Sequence, residues 1–237
     1  MPAFAESLDL LWKLRAHDEP IVAAQHEIAR QKSLIDQSRG KLASAQAEVA
    51  RARADLEGLR RAERDDEAEL KRLEQRIAML EAQMGSSTSE AQLKNVTAGL
   101  DKERRLADDL ETRSLERLDD IEAVQKRLDG LRGDQAAAEA ALAQVEREAL
   151  AVMAAQQAIV AEHEAARAAL SQGLEEGLLA QYETAHRQNP GSALAAAKAG
   201  NCTGCFGELT QQQMSEIRAR THLVRCPHCH RLLDWRE

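Results

Sequence analysis

Read in sevens, residues 14–84 place one column of side chains at Leu14, Ile21, Ile28, Ile35, Leu42, Val49, Leu56, Glu63, Leu70, Ile77 and Met84, ten of these eleven being large and apolar. A heptad repeat sustained over that length marks a helix that buries one stripe against another helix. The companion column is weaker: Leu10, His17, Ala24, Gln31, Ser38, Ala45, Ala52, Leu59, Asp66, Leu73 and Leu80. Its small middle residues let a partner approach closely. Glu63 and Asp66 interrupt the seam together, which predicts a polar layer met by Arg105 or Arg113. Composition agrees. The 237 residues include only five aromatics, and the hydrophobic 43% comes mainly from Ala and Leu beside abundant charge. An ordinary α/β enzyme or a β-sandwich needs a thicker core than such a chain can supply.

The stretch Gly85-Ser86-Ser87-Thr88-Ser89 breaks the pattern. Gly85 suits a helix end, and Ser87 with Glu90, or Ser89 with Gln92, offers a capping box for the next helix. A second seam is clearest from Ile121, with Val124, Leu131, Ala138, Val145, Val152, Ile159 and Ala166 in one column. Two helices of similar length, each roughly 100 Å or more at 1.5 Å per residue, flank a short loop. The simplest closure is an antiparallel coiled-coil hairpin over residues 1–172 with its tip near 85–89, residue i facing about residue 174 − i. A parallel homodimer is the alternative, but the break at the tip would be a defect in it. Gly40, near the level of Gly130 and Gly133, marks a candidate bend. Pro20 is tolerated if Asp18 caps a fresh first turn, and otherwise kinks helix one. Residues 173–199 read as a short helical connector, closed by the Asn189-Pro190-Gly191 turn signal. The aromatics, Phe4, Trp12, Tyr182, Phe206 and Trp235, lie only near the two ends of the chain. A hairpin brings those ends together, predicting a small head whose core includes some of Leu8, Leu11, Trp12, Tyr182, Phe206 and Trp235.

All four cysteines fall in residues 200–237, as Cys202-Thr-Gly-Cys205 and Cys226-Pro-His-Cys229, twenty residues apart. Each CxxC turn aims two sulfurs at one point while backbone amides donate to them. Two such knuckles complete a tetrahedron around zinc, at the edge of the usual zinc-ribbon spacing. The reading is one structural zinc per chain on Cys202, Cys205, Cys226 and Cys229, within a small β zinc ribbon. Disulfides, a redox dithiol and an iron–sulfur cluster are the competing uses of the thiols, and His228 or His230 could substitute as ligands. Four thiolates leave no coordination position for water, so the ion is structural rather than catalytic. A head of this size needs such a staple.

No phosphate-binding glycine loop or nucleophile triad is present, and the chain reads as non-enzymatic, with no small-molecule substrate. Apolar runs fall well short of a membrane span. Glu6 and Asp9 stand where an export signal would be basic and apolar, so a cytoplasmic location is expected. Net charge is −8, from 32 basic and 40 acidic residues, which makes bulk attraction to nucleic acid weak. Arg218, Arg220, His222, Arg225, His228, His230 and Arg231 nevertheless form a candidate patch for RNA or a protein partner. His17 and His163 occupy seam positions and read as a polar layer rather than as a second metal site.

The head and hairpin together resemble a family of bacterial regulatory proteins, with a long helical hairpin and a C-terminal four-cysteine ribbon, of the kind associated with flagellar and type III secretion. The resemblance is carried by Cys202-Thr-Gly-Cys205, Leu209, Ile217-Arg218, Val224 and Cys226-Pro227-His228-Cys229-His230-Arg231-Leu232-Leu233. His230 stands where that family typically has Gly, no Pro follows Leu209, and the tip lacks an aromatic. The resemblance implies an adaptor that binds a protein partner, such as an alternative sigma factor or a secretion component, or messenger RNA. A structural spacer whose ribbon is only a stabilising cap is the alternative.

Overall fold

The computed structural model describes residues 4–236, and the fold is a long helical hairpin with a small strand region at its C-terminal side. Helix α1 spans Phe4–Ser86 and α2 spans Glu90–Ser171, followed by α3 (Glu176–Gln188), β1 (Leu194–Lys198), β2 (Asn201–Cys202), α4 (Gln211–Ala219), β3 (Val224–Arg225) and β4 (Leu232–Trp235). Among the described residues no helix is long and apolar enough to cross a membrane. The chain divides into two compact units, one of residues 37–143 and one of residues 1–36 with 144–237.

The first unit is the tip half of the hairpin. Val49, Ala52, Leu56 and Leu128 form one buried cluster, with Ile121, Val124 and Leu131 against it. Leu73, Ala107 and Leu110 form another, flanked by Leu70 and Ile77. Between them lies the expected polar layer. Buried Asp66 accepts from Arg113 Nη2 at 2.9 Å and is ion-paired with Arg117. Arg113 is one of the two alternatives the sequence offers for this layer, and Arg117 joins it as a second cation. At the tip Ser89 Oγ accepts from the Gln92 backbone at 3.2 Å, the second of the two predicted starts. The end of α1 is closed by serine hydroxyls rather than by Gly85: Ser87 Oγ donates to the Gln83 carbonyl at 2.8 Å, and Ser86 Oγ to those of Ala82 and Gln83. Both helices run unbroken through Gly40, Gly130 and Gly133, where a side chain would meet nothing.

In the second unit, α1, α2, α3 and the strands share a core. Leu8, Leu11, Leu14, Leu178, Tyr182, Ala185, Ala193, Leu194 and Leu232 are buried together, with Phe4, Trp12 and Leu170 packed on them. The register differs from the sequence expectation. His17 meets His163 rather than residue 157, because register is fixed where side chains interlock and not by the midpoint of the loop. Pro20 lies inside α1, which continues through it. Asp18 does not cap a new turn. At 1% exposure it is the hub of a buried network, accepting from Arg167 Nε at 2.5 Å and from the Tyr182 hydroxyl at 2.6 Å.

The connector also needs correction. It is helical only over α3; Leu194–Lys198 is a strand despite three consecutive alanines. Alanine favours helix intrinsically, but here both edges of the segment are taken by backbone partners. The four-stranded sheet has the order β2-β1-β4-β3. β1 pairs parallel with β4, Leu194 opposite Leu232 and Ala197 opposite Trp235, and antiparallel with β2, Ala197 opposite Cys202. β3 pairs antiparallel with β4, Val224 opposite Leu233. Helix α4 is introduced by a capping box, Thr210 with Gln213, and covers the sheet with Met214 and Ile217.

Candidate metal centre

Two short turns of matching design carry the cysteines. After each pair the chain enters the left-handed region, at Phe206 (φ 61°) and at His230 (φ 61°). The Phe206 amide donates to the Cys202 carbonyl at 2.7 Å, and the His230 amide to the Cys226 carbonyl at 3.0 Å. The next residue closes each loop: Cys202 N donates to the Gly207 carbonyl at 3.0 Å, and Cys226 N to that of Arg231 at 2.8 Å. This repeated turn aims Sγ of both cysteines in a pair to the same side. Gly204 and Gly207 lie where neighbouring side chains approach the backbone closely. A Cβ on Gly204 would lie 2.6 Å from Cδ of Arg231, and one on Gly207 would overlap the His228 ring.

The four Sγ atoms lie within 4.8 Å of one another, and no other group of three or more potential ligands occurs among the described residues. Cys202 Sγ is 3.8 Å from Cys229 Sγ, and Cys205 Sγ is 3.7 Å from Cys226 Sγ. Ligands on a tetrahedron of radius about 2.3 Å stand about 3.8 Å apart, whereas a disulfide would need about 2.05 Å. The donor set fits one zinc ion. Cys202 and Cys226 are buried and Cys205 and Cys229 half-buried. Burial pushes the Cys202 thiol up to about 12, against hydrogen bonds from the backbone of Gly204 and Cys205. Burial acts in the same direction on Cys229, but hydrogen bonds from the Arg231 backbone and side chain outweigh it and bring that thiol down to about 7. A divalent ion would supply the charge that four converging thiolates need, and in a closed thiolate cage its role is structural.

The surrounding side chains are mostly committed to holding the head together. Arg231 Nε donates to the Ser192 carbonyl at 2.8 Å, and Nη1 to that of Gly204 at 3.4 Å. Arg220 grips buried Asp234 through Nε (3.0 Å) and Nη2 (3.1 Å). Trp12 Nε1 donates to the same carboxylate at 2.9 Å, fastening α1 to β4. Arg225 reaches the Gln181 carbonyl at 3.4 Å, and His228 Nε2 donates to that of Glu208 at 3.1 Å. Arg218 lies over the Trp235 ring at 4.3 Å, and His222 is exposed beside Thr221. Of the seven residues of the candidate patch, Arg220, Arg225 and Arg231 are half-buried and bonded within the chain, while Arg218, His222, His228 and His230 are exposed. Of the candidate core residues of the head, Leu8, Leu11 and Tyr182 are buried, whereas Phe206 is 80% exposed. Asp234 escaped the sequence reading, since nothing marks a lone Asp in a short strand as buried.

Two family models match the chain: a C4-type zinc ribbon over residues 201–233 and a CT398-like coiled coil hairpin over residues 14–190. No curated protein matches the sequence. Among solved structures, CT398 from Chlamydia trachomatis is similar at a TM-score of 0.91 and 17% identity, covering 98% of this chain and 99% of that one. The HP0958 protein from Helicobacter pylori matches at a TM-score of 0.66 and 18% identity, covering 97% of each chain. A protein from Mycobacterium smegmatis matches at 0.70 and 18%, covering 98% and 99%. At these identities the likeness is one of fold. Both matched families are structural domains rather than known enzymes, and the hairpin match takes in most of the sequence. The chain belongs to the CT398-like coiled-coil hairpin family and carries a C4-type zinc ribbon.

Proposed function

We propose that this chain is a non-enzymatic, cytoplasmic adaptor whose zinc-ribbon head recognises a protein partner in a regulatory role. The observation that carries this reading is Phe206. It follows the first knuckle directly, stands 80% exposed and is held at φ 61°. A bulky residue there bears both a conformational and a solvation penalty, and such sites tend to serve binding. The family resemblance points to an alternative sigma factor or a component of flagellar or type III secretion. Messenger RNA is the less favoured ligand, because Arg220 and Arg231 are consumed within the head. The spacer reading predicts that the head contributes nothing to recognition.

The test compares capture of such a sigma factor or secretion component by the wild type and by Phe206→Ala, each loaded with zinc. Loss of capture with the helical signal intact supports the adaptor. Equal capture by both proteins, or capture by the helices alone, supports the spacer. Retention of labelled RNA across a salt titration would restore the nucleic-acid version.

A further inference from the structure

In the head, a cavity of about 540 Å³ opens between α4 and the turn that joins β1 to β2. Gln211, Met214, Ser215 and Arg218 stand at i, i+3, i+4 and i+7, so one face of α4 forms a wall of it. The turn supplies Ala199 and Gly200, both left-handed at φ 52° and 80°. Leu209 and Met214, each 8% exposed, make part of the lining apolar. The carbonyls of the turn are already engaged: Gly200 accepts from the Leu209 amide at 2.8 Å, and Ala199 from Asn201 Nδ2 at 3.2 Å. The donors are not. The side chains of Gln211, Ser215 and Arg218 make no hydrogen bond or ion pair among the described residues. Arg218 is the one charged residue of the lining. Its guanidinium lies over the Trp235 ring at 4.3 Å, which holds its plane and leaves the N–H edge open. The only carboxylate of α4, Glu216, accepts from Gln212 Nε2 at 3.1 Å on another face of the helix.

We infer that this cavity receives an acidic side chain, Asp or Glu flanked by apolar residues, from the protein partner of the head. The inference rests on the adaptor reading but uses residues other than Phe206. Filled acceptors, free donors and a single cation select an anion of one charge. The carboxylate meets the edge of Arg218 in a paired, charge-assisted hydrogen bond, with the Ser215 hydroxyl and the Gln211 side chain as further donors. The apolar neighbours of the acidic residue cover Leu209 and Met214, whose surface is otherwise left to water. Because Trp235 already holds the guanidinium, little side-chain freedom is lost on binding. Nucleic acid is the poorer occupant. A phosphodiester chain carries a charge at every nucleotide and is held by several cations, whereas the lining has one and the whole chain a net −8.

The test titrates the zinc-loaded full-length protein with a peptide blocked at both ends that carries one glutamate between leucines, while backbone amide and indole NMR shifts are followed. Saturable shifts centred on Gln211, Ser215, Arg218 and Trp235 are expected. Binding should be about tenfold weaker for the same peptide with glutamine in place of glutamate, and for the Arg218→Gln protein. Phe206→Ala should bind the peptide as the wild type does, which keeps the two readings apart. If Phe206→Ala loses partner capture while the wild type binds no peptide, the adaptor stands and the cavity proposal falls. Equal affinity for the glutamine peptide, or for Arg218→Gln, also overturns it. So does tighter binding of an unblocked peptide without glutamate, which would assign the cavity to a chain terminus, or displacement of the peptide by a single-stranded RNA oligonucleotide at matched ionic strength.

Discussion

Phe206 and His230 occupy equivalent places after the two knuckles, and both adopt φ 61°. The left-handed conformation costs a residue with a Cβ roughly 1–2 kcal/mol. The turn imposes it, because the amide of each residue must reach back to the first cysteine of its pair. Glycine is the residue such a turn prefers. The His230 side chain is exposed and has little packing to lose. His230→Gly should therefore stabilise the head by about 1 kcal/mol and slow zinc transfer to a competing chelator about fivefold, as stopped-flow absorbance would show. An unchanged or faster transfer would mean that the His230 ring contributes to the cage. The comparable change at Phe206 should also stabilise, yet abolish partner capture, which separates the two roles of a single position.

Among the elements, the hairpin owes its specificity to polar layers. Breaking a buried ion pair by removing one partner costs about 3–5 kcal/mol, whereas replacing it with apolar groups can be neutral. Arg117→Ala, which leaves Asp66 short of a partner, should lower the thermal midpoint of the tip half. Asp66→Leu should leave it unchanged or raise it while permitting alternative registers, visible as doubled amide resonances. At the hairpin base, burial holds the Tyr182 hydroxyl far above its usual range, reinforced by its bond to Asp18. A raised value in the folded state means that its contribution is complete below about pH 10, the ordinary tyrosine value, and is lost as pH rises beyond it. Urea midpoints should fall above pH 10 in the wild type, and the Tyr182→Phe variant should lack that part of the decline. The periodic parts of this architecture were legible in the sequence, because Leu14, Ile21, Val49 and Leu56 fall at multiples of seven residues and are buried where the repeat places them. The cysteine cage was legible for the same reason, a fixed spacing with one chemical use. What escaped were features decided by tertiary partners. Ala195–Ala197 become strand only because β4 and β2 flank them. Asp18 is a hub only because Tyr182 and Arg167 arrive from other helices. The Thr210-Gln211-Gln212-Gln213 capping box, by contrast, was a local signal that could have revealed α4.

For the whole molecule, the sheet that carries the cysteine cage is tied to more than the ribbon. The sheet that holds Cys202 also contains Leu194 and Leu232, and these belong to the same buried cluster as Leu8, Leu11 and Tyr182. Asp234 in β4 fastens Trp12 of α1 and Arg220 after α4. Zinc in comparable small modules contributes roughly 10–16 kcal/mol at neutral pH, more than apolar burial in so small a head can replace. Removing the ion with a strong chelator, or by Cys202→Ser with Cys226→Ser, should therefore loosen the unit of residues 1–36 and 144–237 in a graded way. Residues 194–235 should lose hydrogen-exchange protection first, followed by α3 and the opening turns of α1, whose buried face rests on β1 and β4. Residues 37–143 have their own clusters around Leu56 and Leu110 and their own ion pairs at Asp66. Their protection should persist, and most of the helical circular dichroism with it. Exchange measured by mass spectrometry before and after chelation distinguishes the cases. Loss of protection at Val49–Leu56 together with the head would mean that the ion supports the entire hairpin. Loss restricted to residues 200–230 would mean that the Leu194–Leu232 pairing stands without metal, so that the ribbon is only an appendage to the fold.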